Sequence, residues 1–267
     1  MNCKDPIGVI DSGVGGLTVL PYLQRLMPHE DFLYLGDTAR TPYGIRSRQE
    51  IATMVAEMTA WMEDNHIKQL VVACNTITVL GAPTIRGLHS FRVVGMSKGA
   101  KLALTATKNK KIGIFATDFT VSTQAHQKAI LELDHTAQVF SQGCTKFVPL
   151  IEGEQFDTPE LAAVVREYTD ILKKDGVDTV LLSCTHYPFI KKEIVALFGP
   201  EITVIDPAEE TAADALADLQ QHKLDRKDGK GQVTICFTAD LERGRRLASR
   251  VMDISQCRFK QVDLHSK

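Results

Sequence analysis

Leu70-Val71-Val72-Ala73-Cys74-Asn75-Thr76 and Val180-Leu181-Leu182-Ser183-Cys184-Thr185-His186 are two copies of one pattern, 110 residues apart. Each copy is an apolar run of strand length that ends in a cysteine and continues with polar residues suited to a helix N-terminus. The similarity extends backwards, because residues 51–62 and 161–172 carry the same helical spacing of apolar side chains at the same offset. The two cysteines therefore occupy equivalent positions in two similar units.

Length and composition limit the possible classes of protein. At 267 residues and 44% hydrophobic, the chain is long enough for two compact domains or one large α/β domain, and the repeat favours two. The net charge is −2 with scattered lysines and arginines, so neither nucleic acid nor an anionic membrane is an expected partner. The absence of a signal-peptide pattern and of a membrane-length apolar run predicts a soluble, cytoplasmic protein. Its six separated cysteines are then expected to be free thiols.

A second repeat supports the division into two units. The strand Ile7–Ile10 and the residues after it are echoed by 112–117, and the strand 202–206 closes the second unit. A charged linker over 223–231 leads into a last strand, helix and strand, which we expect to pack on the first unit. We predict an α/β fold of two similar doubly wound, flavodoxin-like domains related by pseudo-two-fold symmetry, with the active site in the cleft between them. The predicted domains are 1–98 plus 207–267, and 99–206.

The glycine-rich turn over 11–16 links the first strand to a helix predicted over 17–27. Its backbone N–H groups suit an anion, although the turn matches neither the dinucleotide fingerprint nor a P-loop and can equally be a packing turn. Ligands of open parallel sheets lie at the carboxyl ends of strands. The residues predicted to face one crevice there are Asp11, Ser12, Tyr43, Gly44, Cys74, Asn75 and Thr76.

Two matched cysteines suit racemisation, because that reaction removes a proton from one face of a carbon and returns one to the other. The thiolate is the active base, and helix N-termini favour it. Asp11 and His186 are predicted to orient the two thiols or to exchange protons with them. The side chains predicted to hold substrate carboxylates are Ser12, Asn75, Thr76 and Thr185, and Glu152 is a candidate to polarise His186.

Less specific interpretations exist for each of these residues. A lone cysteine after a strand is usually a buried apolar residue, as we expect for Cys144, but two equivalent ones favour chemistry. A zinc site from Cys74, Cys184 and His186 lacks a fourth ligand, and a disulfide between the cysteines requires an oxidising compartment. His186 alone fits a structural histidine, and Asp11 alone fits a helix cap. We therefore expect no metal.

Together these motifs resemble the glutamate racemase family over nearly the whole chain. The matching stretches are Ile10–Val19 (IDSGVGGLTV), Tyr34–Arg40 (YLGDTAR), Pro42–Gly44 (PYG), Val72–Thr76 (VACNT), Phe147–Glu152 (FVPLIE) and Cys184–Pro188 (CTHYP). The departures are Ser183 where glycine is usual, Lys98-Gly99 where Pro-Gly is usual, and Ile77 where small residues are usual.

The resemblance implies a cofactor-independent isomerase that interconverts L- and D-glutamate and supplies D-glutamate for peptidoglycan, and hence for cell wall biogenesis and cell shape. It implies that Cys74 and Cys184 are the catalytic acid/base residues. The substrate contacts it implies are Asp11, Ser12, Tyr43, Gly44, Asn75, Thr76, Thr185 and His186. A homodimer is the family's habit. Activation by a cell-wall precursor is not expected, because the long N-terminal extension that accompanies it in some relatives is not seen.

Two alternatives stay open at this point. An aspartate racemase resembles this family in using paired cysteines on a similar two-lobed scaffold. A non-catalytic two-lobed amino-acid-binding protein would place the same cysteines in its cleft without chemistry.

Overall fold

A computed structural model describes residues 2–86 and 88–264, with the backbone alone described for 81–84 and 86. The strands are β1 (Ile7–Asp11), β2 (Phe32–Gly36), β3 (Gln69–Val72), β4 (Arg92–Gly95), β5 (Lys111–Ala116), β6 (Gln138–Gly143), β7 (Thr179–Ser183), β8 (Thr203–Ile205), β9 (Val233–Phe237) and β10 (Cys257–Gln261). The α-helices are α1 (Leu20–Leu26), α2 (Arg48–Asp64), α3 (Asn75–Arg86), α4 (Ala100–Ala106), α5 (Asp118–Thr123), α6 (Ala125–Leu133), α7 (Phe147–Glu152), α8 (Pro159–Asp175), α9 (Lys191–Phe198), α10 (Ala208–Gln221) and α11 (Leu241–Val251). No helix within the described residues is long and apolar enough to cross a bilayer.

The chain forms two compact units, one from the residues up to Met96 together with those from Ala208 onward, the other from Ser97–Pro207. In the described part of the first unit, the sheet order is β10-β9-β2-β1-β3-β4, and in the second it is β6-β5-β7-β8. All of these strand pairs are parallel. Both sheets thus contain the strand order 2-1-3-4 of flavodoxin-like folds. The predicted α/β class, with parallel sheets in two domains, is confirmed.

The register of the first sheet places the ends of β1 and β3 side by side. Ile10 pairs with Val72, and the N–H of Ala73 donates to the carbonyl of Ile10 at 2.9 Å. The side chains that follow each strand, including Cys74, therefore emerge at one carboxyl edge. The second sheet repeats this arrangement, with Ala116 of β5 paired with Ser183 of β7.

The second sheet is apolar on both faces because successive strand residues point to opposite sides. Val180 and Leu182 join a cluster around Phe147, whereas Leu181 between them joins a separate cluster with Ile112. Helices cover the two faces, with α8 and α9 contributing to the first cluster and α4 and α6 to the second. This is the packing of a doubly wound domain.

Two helix starts follow the sequence pattern and one differs. Ser47 and Glu50 form the capping box of α2, and Thr158 caps α8 with Pro159 in its first turn. The continuous helix predicted over 17–27 is wrong: a 3₁₀ turn over Gly15–Thr18 precedes α1. Pro21 lies in the first turn of α1, where its missing N–H is tolerated, and an interior position would break a longer helix.

The C-terminal segment adds two strands to the first sheet. β9 pairs with β2, and β10 pairs with β9. At the opposite, amino end of this sheet, Lys68 is fully buried and donates to Glu30 Oε2 at 2.5 Å, to the carbonyl of Cys3 at 2.6 Å and to that of Leu224 at 3.0 Å. One ammonium group therefore holds the N-terminal residues and the linker before β9 against the sheet.

Candidate active site

Cys74 lies at the N-terminus of α3, directly after β3. Its carbonyl accepts the N–H of Thr78 at 2.9 Å, as a helix N-cap carbonyl does, and its thiol donates to the hydroxyl of Ser12 at 3.6 Å. The side chains of Ser12, Asn75 and Thr76 are buried around it. The structure thus brings together the thiol and hydroxyl groups that the sequence pattern assigned to one crevice of the first unit.

The turn over 11–16 is partly a packing device. Oδ1 of the fully buried Asp11 accepts the N–H of Gly13 at 2.8 Å. The carboxylate therefore already binds one of the backbone N–H groups that were predicted to bind an anion. A Cβ on Gly16 would lie 2.8 Å from Cβ of Asp11 and 3.0 Å from Cβ of Ala73. Glycine at this position lets the turn pack against the ends of β1 and β3.

Tyr43 lies in a 3₁₀ turn over Tyr43–Ile45, and its side chain is buried. The phenol donates to Oδ2 of Asp37 and lies 3.5 Å from Sδ of Met58. Burial and the adjacent Asp37 charge raise the pKa of the Tyr43 phenol. The hydroxyl of Tyr43 is thus held by Asp37, and the 3₁₀ turn is anchored to the end of β2.

Cys184 has a different partner. Its Sγ lies 3.9 Å from Nδ1 of His186, and Nε2 of His186 lies 2.8 Å from Oε1 of Glu152 on α7. All three side chains are buried. Burial lowers the pKa of His186, but the hydrogen bonds to Cys184 and Glu152 outweigh it, and the net pKa is raised well above the ordinary value. The raised pKa favours the charged imidazolium form of His186, between the Cys184 sulfur and the Glu152 carboxyl group.

The local structure after the two cysteines is not identical. An α-helix begins immediately after Cys74, whereas Cys184 is followed by a turn and a 3₁₀ helix over Tyr187–Ile190 before α9. Pro188 lies in this 3₁₀ segment and has no N–H to donate. The N–H of Tyr187 donates to the carbonyl of Cys184 at 3.1 Å, so the turn is closed directly behind the cysteine.

Aromatic rings support Cys184 from within the second unit. Phe147 meets Tyr187 edge-on at 5.1 Å and Tyr168 at 5.0 Å between ring centroids. The Tyr187 hydroxyl donates to the carbonyl of Cys144 at 3.3 Å. Cys144 is fully buried, and burial raises the pKa of its thiol, in agreement with the packing role expected from its sequence context.

The structure places the predicted site residues in two groups, one on each unit. The first contains Asp11, Ser12, Tyr43, Gly44, Cys74, Asn75 and Thr76, and the second contains Glu152, Cys184, Thr185 and His186. Sequence reasoning did not assign a role to Asp37, which is buried and binds Tyr43. A charged residue directly after a buried strand was the available signal. Within the described residues, no cluster of three or more His, Cys, Asp and Glu side chains is arranged to hold a metal ion.

A known sequence family matches most of this chain. The sequence model of the Asp/Glu/Hydantoin racemase family matches residues 7–215. The chain belongs to this family. Both repeat cysteines lie inside the matched range, and as a member of a racemase family the chain is an isomerase.

Several glutamate racemases are similar to this chain over most of its length. The glutamate racemase of Trichormus variabilis is 43% identical over 206 residues, 77% of this chain and 70% of its own length. That of Listeria monocytogenes is 43% identical over 222 residues, 83% of this chain and 84% of its own. The crystal structure of glutamate racemase isoform RacE1 from Bacillus anthracis covers 100% of both chains, with 34% identity and a TM-score of 0.92. The resemblance to glutamate racemases is confirmed.

An aspartate racemase is also similar in fold. The enzyme from Picrophilus torridus has a TM-score of 0.55 at 19% identity and covers 82% of this chain. At that identity the likeness concerns the fold alone.

Proposed function

We propose that this chain interconverts L- and D-glutamate without a cofactor, using Cys74 and Cys184 as the two acid/base residues. The observation that carries the proposal is the equivalence of the two thiols. Each follows the third strand of the same 2-1-3-4 order, and each has a polar partner at its sulfur. Cysteines with only a packing role would not be expected to recur at the carboxyl ends of equivalent strands, each with a polar neighbour.

The proposed chemistry is a proton transfer on each face of one carbon. One cysteine thiolate takes the Cα proton and becomes a thiol, and the electron pair stays on Cα as a carbanion. The other cysteine, present as a thiol, donates its proton to the opposite face of Cα and becomes a thiolate. The reverse reaction exchanges the two roles. The mechanism requires the two sulfurs to reach opposite faces of one bound substrate.

The unequal partners of the two thiols give them different tasks. Ser12 offers Cys74 a neutral hydroxyl, whereas His186 offers Cys184 a ring whose raised pKa favours the charged form. An imidazolium stabilises the Cys184 thiolate and can return the proton. We infer that Asp11 assists on the Cys74 side, where its carboxylate ends β1 beside β3.

We propose that glutamate is bound by polar groups of both units. The residues we assign to it are Asp11, Ser12, Tyr43, Gly44, Asn75, Thr76, Thr185 and His186. Short hydroxyl and amide side chains can hold carboxylates through hydrogen bonds. The commitment of the Tyr43 phenol to Asp37 supports a contact through the main chain of Tyr43 and Gly44. The crystal structure of a glutamate racemase from Francisella tularensis, 28% identical to this chain with a TM-score of 0.89, is a complex with D-glutamate.

We propose further that the D-glutamate serves peptidoglycan synthesis, and thus cell wall biogenesis and cell shape, in the cytoplasm, and that the enzyme is a homodimer. The support is the membership in a family whose relatives carry the name glutamate racemase. We propose domains of 1–98 plus 207–267 and 99–206 on the basis of the repeat and the C-terminal return.

The deciding experiment is incubation of the protein with each enantiomer of glutamate and of aspartate in deuterated water. We expect deuterium at Cα of glutamate together with the opposite enantiomer. Exchange and inversion of aspartate in preference to glutamate would identify an aspartate racemase. Binding of glutamate without deuterium uptake would identify an amino-acid binder and overturn the proposal.

A further inference from the structure

Two threonines 200 residues apart bind each other's chain segments beside the candidate site. The hydroxyl of Thr238, directly after β9, donates to Oδ1 of Asp37 at 2.8 Å and accepts the N–H of Ala39 at 2.9 Å. The hydroxyl of Thr38 donates to the carbonyl of Ala239 at 2.6 Å and accepts its N–H at 2.9 Å. We call Thr38 and Thr238 the threonine clamp. It joins the segment after β2 to the segment after β9.

The clamp ends on a carboxylate that organises the turn with Tyr43. Oδ2 of Asp37 accepts the Tyr43 phenol and also Nε of Arg40, the latter at 2.6 Å. Arg40 in turn pairs with Glu57 on α2. Asp37 is 1% exposed, so each of its oxygens depends on these donors. The clamp therefore sets the orientation of the carboxylate that holds Tyr43.

The clamp residue Thr238 lies outside the part of the chain that the family model matches. That match ends at residue 215, and Thr238 reaches Asp37 only because β9 pairs with β2. The strand pairing itself already fixes β9 through backbone hydrogen bonds, including Thr238 N–H to the carbonyl of Gly36 at 3.2 Å. The hydroxyls of Thr38 and Thr238 therefore bind groups in the segments after β2 and β9, outside the strand pairing.

We propose that Thr238 is a positioning residue for substrate binding, acting through Asp37 and Tyr43. This inference rests on the proposed function, in which the main chain of Tyr43 and Gly44 contacts glutamate. Without the Thr238 hydroxyl, Oδ1 of Asp37 and the N–H of Ala39 lose a partner. Asp37 is then free to turn towards Arg40, and the phenol of Tyr43 is held less firmly. In the wild-type protein, the C-terminal segment thus both extends the sheet and holds the segment after β2 that contains Asp37 and Tyr43.

The test is a comparison of Thr238→Val, Thr238→Ser and Thr234→Val in glutamate racemisation. Val keeps the shape of Thr and removes the hydroxyl, Ser keeps the hydroxyl, and Thr234 lies on the same strand where it pairs with Leu33, away from Asp37. We expect Thr238→Val to raise KM about tenfold with kcat changed by less than about threefold. The reason is that the substrate and the transition state lose the same amount of binding free energy. Thr238→Ser should restore KM to within about twofold of the wild-type value. Thr234→Val should leave both constants unchanged.

The results that overturn the inference are distinct from those that overturn the proposed function. Wild-type protein that does not racemise glutamate removes the function itself. Active wild-type protein together with an unchanged KM in folded Thr238→Val refutes the positioning role alone, and so does an equal rise in KM in Thr234→Val. If Thr238→Val does not fold, Thr38→Val, which removes the other half of the clamp, is assayed in the same way. Failure of both to fold would assign the clamp to stability and refute the proposal.

Discussion

His186 and Glu152 form a buried pair, with Nε2 of the imidazole 2.8 Å from Oε1 of the carboxylate. The same ring presents Nδ1 to Sγ of Cys184 at 3.9 Å. Glu152 comes from α7 and His186 from the turn after β7, so the pair links two elements of the second unit. The carboxylate holds the ring in one orientation and, by its charge, favours the protonated imidazole.

Glu152→Gln should shift the pH dependence of turnover. The Glu152 hydrogen bond and charge both raise the pKa of His186, so their loss lowers that pKa and the imidazolium is lost at a lower pH. We expect the alkaline limb of the kcat/KM profile to move to lower pH. Glu167→Gln is the matched control, because Glu167 is an exposed residue of the same unit bound to Lys146. A superimposable profile for Glu152→Gln would show that the pair does not set this titration.

Replacement of either repeat cysteine by serine should abolish racemisation. A hydroxyl is a far weaker acid than a thiol, so a proton-transfer partner is lost on one face of Cα, and kcat should fall at least about 100-fold. Enantiomer conversion followed by polarimetry measures the effect. Cys257→Ser, at a partly exposed thiol of β10, should retain wild-type turnover. Near-wild-type rates in Cys74→Ser or Cys184→Ser would contradict the two-base assignment.

Lys68→Met should destabilise the fold without changing substrate binding. Lys68 and Glu30 are both buried, and removal of one partner leaves an uncompensated charge, for which we expect a loss of about 3–5 kcal/mol in the free energy of unfolding. Urea unfolding followed by circular dichroism measures the loss. Lys68 lies at the amino end of β3, so KM for glutamate should not change. A raised KM would show coupling between the two ends of the sheet.

Phe147→Ala should also reduce stability, through the second unit. Phe147 is fully buried and its ring contacts Phe115, Tyr168 and Tyr187. Its truncation leaves a cavity and should cost about 3–5 kcal/mol in the free energy of unfolding. Leu133→Ala, at a side chain that is 54% exposed on α6, should change the urea midpoint little. Equal midpoints for the two variants would refute the importance of this aromatic cluster.

Much of the fold was predictable because its signals are local. The apolar runs of β1, β3, β5 and β7 are typical of buried strands, and the helical spacing of residues 51–62 and 161–172 lies in α2 and α8. The repeat then related Cys74 to Cys184 through their places in the two copies. The sequence did not predict the break before α1. Pro21 fits the first turn of a helix, but the apolar pattern continues on both sides of it and predicted one continuous helix.

The residues of the candidate site could be named from the sequence, but the hydrogen-bond partners of its buried side chains could not. Asp37 stood in a quoted motif, but its partner Thr238 is 201 residues away, and no local pattern connects them. The same holds for Lys68, which donates to the carbonyls of Cys3 and Leu224 in distant parts of the chain. Tyr43 stays a predicted substrate contact, and the bond from its phenol to Asp37 could not be predicted from the sequence.

The amino-acid sequence alone determined the elements of the fold and named the candidate residues for the chemistry, because strand and helix periodicity and the repeated Cys-polar pattern lie within short stretches of chain. Only the tertiary structure decided which buried charges and hydroxyls satisfy one another. Burial makes an unpaired polar group costly, so each one must find a partner, yet that partner is chosen by how distant segments pack. The pairing of β9 with β2, and with it the meeting of Thr238 and Asp37, is such a choice.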